Sequence, residues 1–312
     1  MTNINLTTSK KKKNDEFYTQ YTDIKNEIES YDTSLFRDKV LLLSCDNTDS
    51  NFVRYFSDNF NIFRLKKLIY ITYNPSGKGI ISIYDGHNTM NTDMNSDGDF
   101  RSDEMKHIRD ESDLIITNPP FSLFREFLSW LTDGNKSFII VGNMNAITYK
   151  EVFPLIKDNK IWLGVTANGS DMVFRVPDGT VISPKDAQKA ARMSYKGSNY
   201  TKLGNSCWFT NIDHNKRQDM LMTDTMADNE ARGVIYDRYD NYDALEVPRV
   251  ALIPSDYDGQ IGVPISFLPK YCPKQFEIIR FRKGTDGKDL SVKGHCPYFR
   301  IIIRRKIANE AI

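Results

Sequence analysis

Asn118, Pro119, Pro120 and Phe121 form the stretch of this sequence whose residue types best fit a chemical task. An exocyclic amine on a purine is a poor nucleophile, because its lone pair is delocalised into the ring. Two acceptors held beside that nitrogen take hydrogen bonds from its protons and favour a pyramidal, more nucleophilic amine. The side-chain oxygen of Asn118 and the carbonyl of Pro119 form such a pair. The prolines fix φ and stiffen the loop, so the acceptors are in place before a substrate arrives. The adjoining ring of Phe121 can stack on a base and hold its amine in line with a methyl donor. With 12 Pro and 18 Phe in the chain, a chance Asn-Pro-Pro-Phe is expected in roughly one of five hundred sequences of this composition. The plainer alternative, that the prolines end a strand and Phe121 enters the core, calls for no acceptor pair.

The surrounding elements read as a parallel sheet covered by helices. DLIIT (113–117) is a short apolar strand, so the motif falls at a strand's carboxyl end, where α/β folds place their ligands. SLFREFLSWL (122–131) follows as a helix, with Ser122 as N-cap and Leu123, Phe124, Phe127, Leu128 and Leu131 on one face. KVLLLSC (39–45) is almost continuously apolar and reads as a strand buried on both faces. Asp49 or Ser50 then caps a helix in which Phe52, Phe56 and Phe60 recur every four residues. KKLIYITY (66–73) and KSFIIVGN (136–143) are further strands, and 103–110 is helical. Residues 74–98 carry Pro75, Gly77, Gly79, Gly86 and Gly98 around a strand-like IISIY (80–84), which predicts an inserted hairpin. Past residue 165 turn residues multiply and helical periodicity fades, with late strands expected at QFEIIRF (275–281) and YFRIIIRR (298–305). The expectation is an α/β fold in two regions, 1–165 and 166–312, the second mixed α/β, with its late strands able to rejoin the first sheet.

A chain of 312 residues that is 40% hydrophobic can bury one large core, or a core with an appended region. It contains no apolar run of about 18 residues, so no membrane-spanning helix is expected. The opening MTNINLTTSKKKKNDEF is charged where a signal peptide needs an apolar stretch. Cys45, Cys207, Cys272 and Cys296 are scattered, and the four histidines show no metal-ligand spacing. No disulfide framework and no metal site are expected, and the setting is a reducing, cytoplasmic one. A net charge of +1, from 42 Lys and Arg against 41 Asp and Glu, excludes a globally basic nucleic-acid binder but not a local patch. The basic clusters are Lys10 to Lys13, and Arg300, Arg304, Arg305 and Lys306; both read first as solvated charge and second as phosphate contacts.

Taken together, the motifs resemble amino-methyltransferases, and in particular the EcoRI-type DNA adenine-N6 methyltransferase family. The likeness spans most of the chain: NDEFYTQYTDI (14–24), SCDNTDSNFVRYF (44–56), DGDF (97–100), ITNPPF (116–121), CWFTNI (207–212), GVPISFLPKYCPKQFEII (262–279) and RIIIRRK (300–306). NPPF alone marks amine methylation, whereas DEFYTQ together with GVPISFLPKY is far more specific. The resemblance implies a Rossmann-like, S-adenosylmethionine-dependent catalytic core over 1–165 and a target-recognition region over 166–312. It implies methyl transfer to an adenine flipped out of double-stranded DNA, with Asn118, Pro119, Pro120 and Phe121 at the acceptor amine.

The same resemblance implies the cofactor contacts. Phe17, Tyr18 and Thr19 match the family's amino-terminal cofactor motif, with Tyr18 and Thr19 at the methionine end of S-adenosylmethionine. Asp46 falls in the cofactor-binding loop, and Asp99 and Phe100 match contacts to the cofactor's adenine. No metal is implied. A cognate restriction endonuclease is a possible partner activity, which depends on the genome context, and no stable protein partner is evident. Two features depart from the general methyltransferase pattern. SCDNTDSN (44–51) has no glycine, and Tyr73 and Asn74 stand where an acidic, ribose-binding residue often follows the second strand. On the residues alone two other readings stay open: the same chemistry on RNA or on a protein glutamine, and a non-catalytic nucleic-acid-binding relative that keeps the fold.

Overall fold

In the computed structural model, residues 17–166, 172–177, 180, 182–195, 199–203 and 205–306 are described. Lys10 to Lys13, and Asp15 and Glu16 of the amino-terminal motif, lie outside them. The two-residue strand β1 (Tyr18–Thr19) leads into helix α1 (Tyr21–Ile28). β2 (Val40–Leu43) is apolar and buried throughout. Ser50 caps the next helix, accepting from the Phe52 N–H at 3.1 Å, and α2 (Asn51–Asp58) buries Phe52, Val53, Tyr55 and Phe56. Asn59 interrupts the expected phenylalanine repeat, so Phe60 enters the core from a separate single turn, α3 (Phe60–Phe63).

β3 (Lys67–Thr72) follows. The 74–98 excursion stays within the sheet. β4 (Ile80–Tyr84) pairs antiparallel with β3, and β5 (Thr89–Asp93) pairs antiparallel with β4. Ser102 caps α4 (Asp103–Glu111) by accepting from the Met105 N–H at 3.2 Å. β6 (Leu114–Thr117) is buried along its whole length. The helix after it starts later than the sequence suggests. Pro120 O accepts from the Leu123 N–H at 2.9 Å, and this closes a 3₁₀ turn, Phe121–Leu123. Leu123, not Ser122, therefore holds the N-cap position of α5 (Phe124–Asp133), with no side-chain cap. The expected face is kept at Phe124, Phe127, Leu128 and Leu131, all buried.

β7 (Ser137–Asn143) completes a parallel set in the order β3-β2-β6-β7. From β2 the chain moves outward to β3, and it then returns to place β6 on β2's other side. The carboxyl ends of β2 and β6 therefore flank a switch point, where open α/β sheets form a crevice.

Short elements follow: α6 (Phe153–Lys157), β8 (Trp162–Leu163), β9 (Val173–Arg175), α7 (Pro184–Arg192) and β10 (Tyr200–Lys202). β9 lies between β1 and β10 in a three-stranded antiparallel sheet that fixes the segment carrying Tyr18 and Thr19. β11 (Ser206–Thr210) then runs antiparallel along β7, from Ser206 opposite Asn143 to Thr210 opposite Ile139.

Two compact units result, 1–146 with 163–212, and 147–162 with 213–312. The division thus departs from the single boundary expected at 165, because the β11–β7 ladder draws 163–212 into the first unit. In the second unit α8 (Met226–Ala231) precedes β12 (Asp237–Arg238), β13 (Leu245–Glu246), β14 (Gln260–Pro264), β15 (Phe276–Phe281) and β16 (Arg300–Arg305). These strands form their own sheet in the order β12-β13-β14-β16-β15. The late strands β15 and β16 pair with each other and, through β16, with β14. They do not rejoin the first sheet.

Arg300, expected as solvated charge, is largely buried and bonded to Glu246 at 2.7 Å, while the Tyr239 hydroxyl donates to the same carboxylate. Arg304 pairs with Glu277 on the adjacent strand. Among the described residues no helix is long and apolar enough to cross a membrane.

Candidate active site

Thr117, the last residue of β6, is fully buried, and its hydroxyl donates to Asp46 Oδ2 at 2.6 Å. The Ser50 hydroxyl donates to Asp46 Oδ1, also at 2.6 Å. Both carboxylate oxygens of Asp46 are thus held by protein hydroxyls. Burial pushes this carboxyl up to about 6, with the two hydroxyls acting in the opposite direction.

The loop after β2 manages without glycine. No residue from 44 to 50 has a positive φ. Asn47 makes the turn instead, its side chain accepting from the Asp49 N–H and its carbonyl from the Ser50 N–H, both at 3.0 Å.

A cavity of about 240 Å³ opens at these strand ends. Phe17, Tyr18 and Thr19 form one wall, and residues 44–47 and 50–52 another. Ile71, Thr72 and Tyr73 line it from the end of β3, together with residues 98–101. The six cofactor residues expected from the sequence, Phe17, Tyr18, Thr19, Asp46, Asp99 and Phe100, therefore share one cavity with Asn118 and Pro120. Pro119 is buried. Phe121 stacks on Phe17, with ring centroids 5.7 Å apart and planes at 25°, and meets Phe174 edge-on at 6.2 Å. Neither Pro119 nor Phe121 is part of the lining.

The orientation of Asn118 follows from its bonding. Its Nδ2 donates to the Phe17 carbonyl at 2.5 Å, whereas its Oδ1 is buried without a partner. A buried acceptor left unpaired costs roughly 1–3 kcal/mol, and this one belongs to a residue of the cavity wall. Thr19 Oγ1, in the opposite wall, is likewise buried and unpartnered.

Gly98 has φ of 85°, and a Cβ there would meet Ile71 Cγ2 at 3.1 Å, so the DGDF turn requires glycine. Just beyond it Arg101 grips Asp99 through Nε at 2.8 Å and Nη2 at 2.5 Å. That guanidinium holds the Asp99 carboxyl below the ordinary carboxylate range. A carboxylate has about four acceptor sites, so Asp99 keeps capacity for a further donor. Phe100 is fixed edge-on by Phe127 at 5.1 Å and Trp130 at 5.9 Å.

Sequence reasoning missed Thr117, Asn51 and Arg101, named Ser50 only as a helix cap, and named Tyr73 only as standing in place of an acidic residue. Asn51 donates to the Thr19 carbonyl at 2.8 Å and so ties the amino-terminal segment to α2. Arg101, two residues past Asp99, had a local signal; the Thr117–Asp46 bond spans 71 residues and had none.

A cavity at the switch point of the parallel β3-β2-β6-β7 set, with an unpaired amide oxygen presented from a proline-stiffened loop at its rim, agrees with the amino-methyltransferase expected from the sequence. The sequence profile of the family described as adenine-specific methyltransferase EcoRI matches residues 5–95 and 78–306. Over 325 aligned residues the chain is 44% identical to the Type II methyltransferase M.EcoRI of Escherichia coli, covering 98% of this chain and 97% of that protein. It is 34% identical to the Type II methyltransferases M.MgeORF184P of Mycoplasma genitalium and M.MpnI of Mycoplasma pneumoniae. Those alignments cover 96% of this chain in each case, and 98% and 97% of the relatives. No solved structure matches the chain. The chain belongs to the EcoRI adenine-specific methyltransferase family, and it is a DNA adenine methyltransferase.

Proposed function

We propose that the enzyme moves a methyl group from S-adenosylmethionine to N6 of one adenine, flipped out of duplex DNA at a specific sequence. The observation that carries this reading is the amide of Asn118, whose nitrogen is engaged by Phe17 and whose buried oxygen awaits a donor. Asn118 Oδ1 and the Pro119 carbonyl take hydrogen bonds from the two N6 protons and hold the amine toward the cavity. Phe121 stacks on the base once the Phe17 ring facing it gives way. An adenine within the duplex cannot reach such a loop, which is why flipping is part of the proposal.

The cavity suits S-adenosylmethionine on its own features. It combines aromatic and apolar walls at Phe17, Phe52, Ile71 and Phe100 with an unpartnered hydroxyl at Thr19 and a carboxylate at Asp99. Tyr18 and Thr19 hold the methionine end, and Asp99 and Phe100 hold the adenine by acceptance and by ring contact. Asp46 acts by fixing the loop between them. When bound, the cofactor supplies an electrophilic methyl group on a sulfonium sulfur.

The β3-β2-β6-β7 order supports a Rossmann-like core. Because every lining residue belongs to the first unit, we assign catalysis there and target recognition to the second. A cytoplasmic setting goes with this reading, and whether a restriction endonuclease is paired with the enzyme is a matter of genome context.

The test is transfer of labelled methyl from S-adenosylmethionine to duplex DNA, comparing the wild type with Asn118→Ala. The expected product is N6-methyladenine, with a loss of about a hundredfold or more in the variant. Label in RNA or in protein glutamine instead of DNA, or full activity without the Asn118 side chain, sinks the proposal.

A further inference from the structure

Thr117 is absent from the cavity lining and has no exposed surface, yet its hydroxyl joins the two halves of the site. It is bonded covalently to Asn118, and through Oγ1 it donates to Asp46 in the loop after β2. Leu42 of β2 stands opposite Ile115 of β6. Beyond that register the two backbones leave the ladder, and the Thr117–Asp46 bond ties their loops where strand pairing ends. The same carboxylate takes the hydroxyl of Ser50, which caps α2 through the Phe52 N–H. The other tether on Asn118, from Nδ2 to the Phe17 carbonyl, also leads to a wall of the cavity.

We infer that Thr117 is a positioning residue whose bond to Asp46 couples cofactor affinity to the methyl-transfer step. The inference rests on the functional reading given above for the cavity and for Asn118. Thr117 does not line the cavity, and its side chain reaches the wall only through Asp46 and the neighbouring Cys45, both in the loop after β2. A hydroxyl donated to a buried carboxylate is charge-assisted, and its loss is worth about tenfold or more in an equilibrium.

Thr117→Val removes the hydroxyl at nearly constant shape, and Thr117→Ser restores it. Cofactor Kd is measured by calorimetric titration with S-adenosylmethionine in the absence of DNA. Single-turnover transfer to duplex DNA is measured separately, at saturating cofactor. Thr117→Val is expected to weaken Kd about tenfold and to slow single-turnover transfer about tenfold or more, with Thr117→Ser recovering most of both. In an Asp46→Ala background, which removes the acceptor, Thr117→Val is expected to add little further.

Thermal unfolding is recorded for each variant, and Thr117→Ala replaces Thr117→Val if the latter does not fold. If either Kd or the transfer rate stays at its wild-type value, or if serine fails to restore them, the coupling is refuted. A wild-type enzyme that binds cofactor but leaves duplex adenine unmethylated refutes the proposed reaction instead.

Discussion

Asp46 shows how one residue's environment sets a measurable property. Burial raises its carboxyl to about 6, above the ordinary carboxylate value, so folding makes it hold its proton to a higher pH although it is ionised at neutral pH. The stability this group contributes is complete below the unfolded pKa of about 3.9 and is lost as pH rises through the folded one. Asp46→Asn is neutral at every pH. Its thermal stability relative to the wild type is therefore expected to be most favourable near pH 8, and the margin should narrow as pH falls through 6. Melting curves at pH 5 and pH 8 check this; the same margin at both would mean that Asp46 is not a strained carboxylate. At this scale the sequence was most informative where the chemistry is contiguous. Asn118 to Phe121 are consecutive, and each has a reason of its own type to be there. The partners of Asp46 were illegible, because Thr117 and Ser50 are ordinary residues whose importance comes only from where β6 and α2 end.

Two turns carry much of the element-scale geometry. Gly98 holds its left-handed φ against Ile71 and presents Asp99 and Phe100 to the cavity. Gly98→Ala is expected to cost about 1–2 kcal/mol in denaturant unfolding, and to weaken cofactor binding measured by titration. Unchanged affinity despite lower stability would separate this turn from the site.

The second turn lies at Gly164, where a Cβ would collide with the carboxylate of Glu27. Glu27, on α1, is fully buried and accepts from the N–H groups of Val165 and Thr166 at 2.8 and 2.7 Å, from the Thr166 hydroxyl at 2.6 Å, and from the Tyr31 hydroxyl at 2.8 Å. Glu27→Ala strands four donors and is expected to destabilise the first unit by about 3 kcal/mol or more, read by chemical denaturation. A cost under about 1 kcal/mol would show that water replaces the carboxylate. Nothing in the sequence around Glu27 announces a partner 138 residues away. The shift of the α5 cap from Ser122 to Leu123 has a local cause. The tight turn after Pro120 uses up the residues that a capping serine would have needed.

For the whole molecule, the expected alternation of strands and helices appears from residue 39 to residue 143, where each strand's neighbours follow in chain order or by one crossover. It was less legible beyond, because β11 is claimed by β7 across the intervening 147–162 excursion. No feature of SCWFT (206–210) says which sheet it joins. The division into two units gives a calorimetric expectation. S-adenosylmethionine at 100 times its Kd should stabilise the first unit by about 2.7 kcal/mol, and the transition of the second should stay in place. A uniform shift of one cooperative transition would mean that the units unfold together.

The chain crosses between the units three times, after residues 146, 162 and 212. The portion to which recognition is assigned is thus an insertion plus a tail, and no single cut point releases it intact. A hybrid joined at 165 would take β11 from one parent and β7 from the other, and its central sheet would be a chimera along a five-pair ladder. On the proposed assignment of recognition to the second unit, exchange of target specificity among relatives by one crossover in the gene falls after residue 212, leaving 147–162 with the donor of the catalytic half. Lineages built this way should change specificity mainly through substitutions and carboxy-terminal swaps, and seldom by exchanging interior segments.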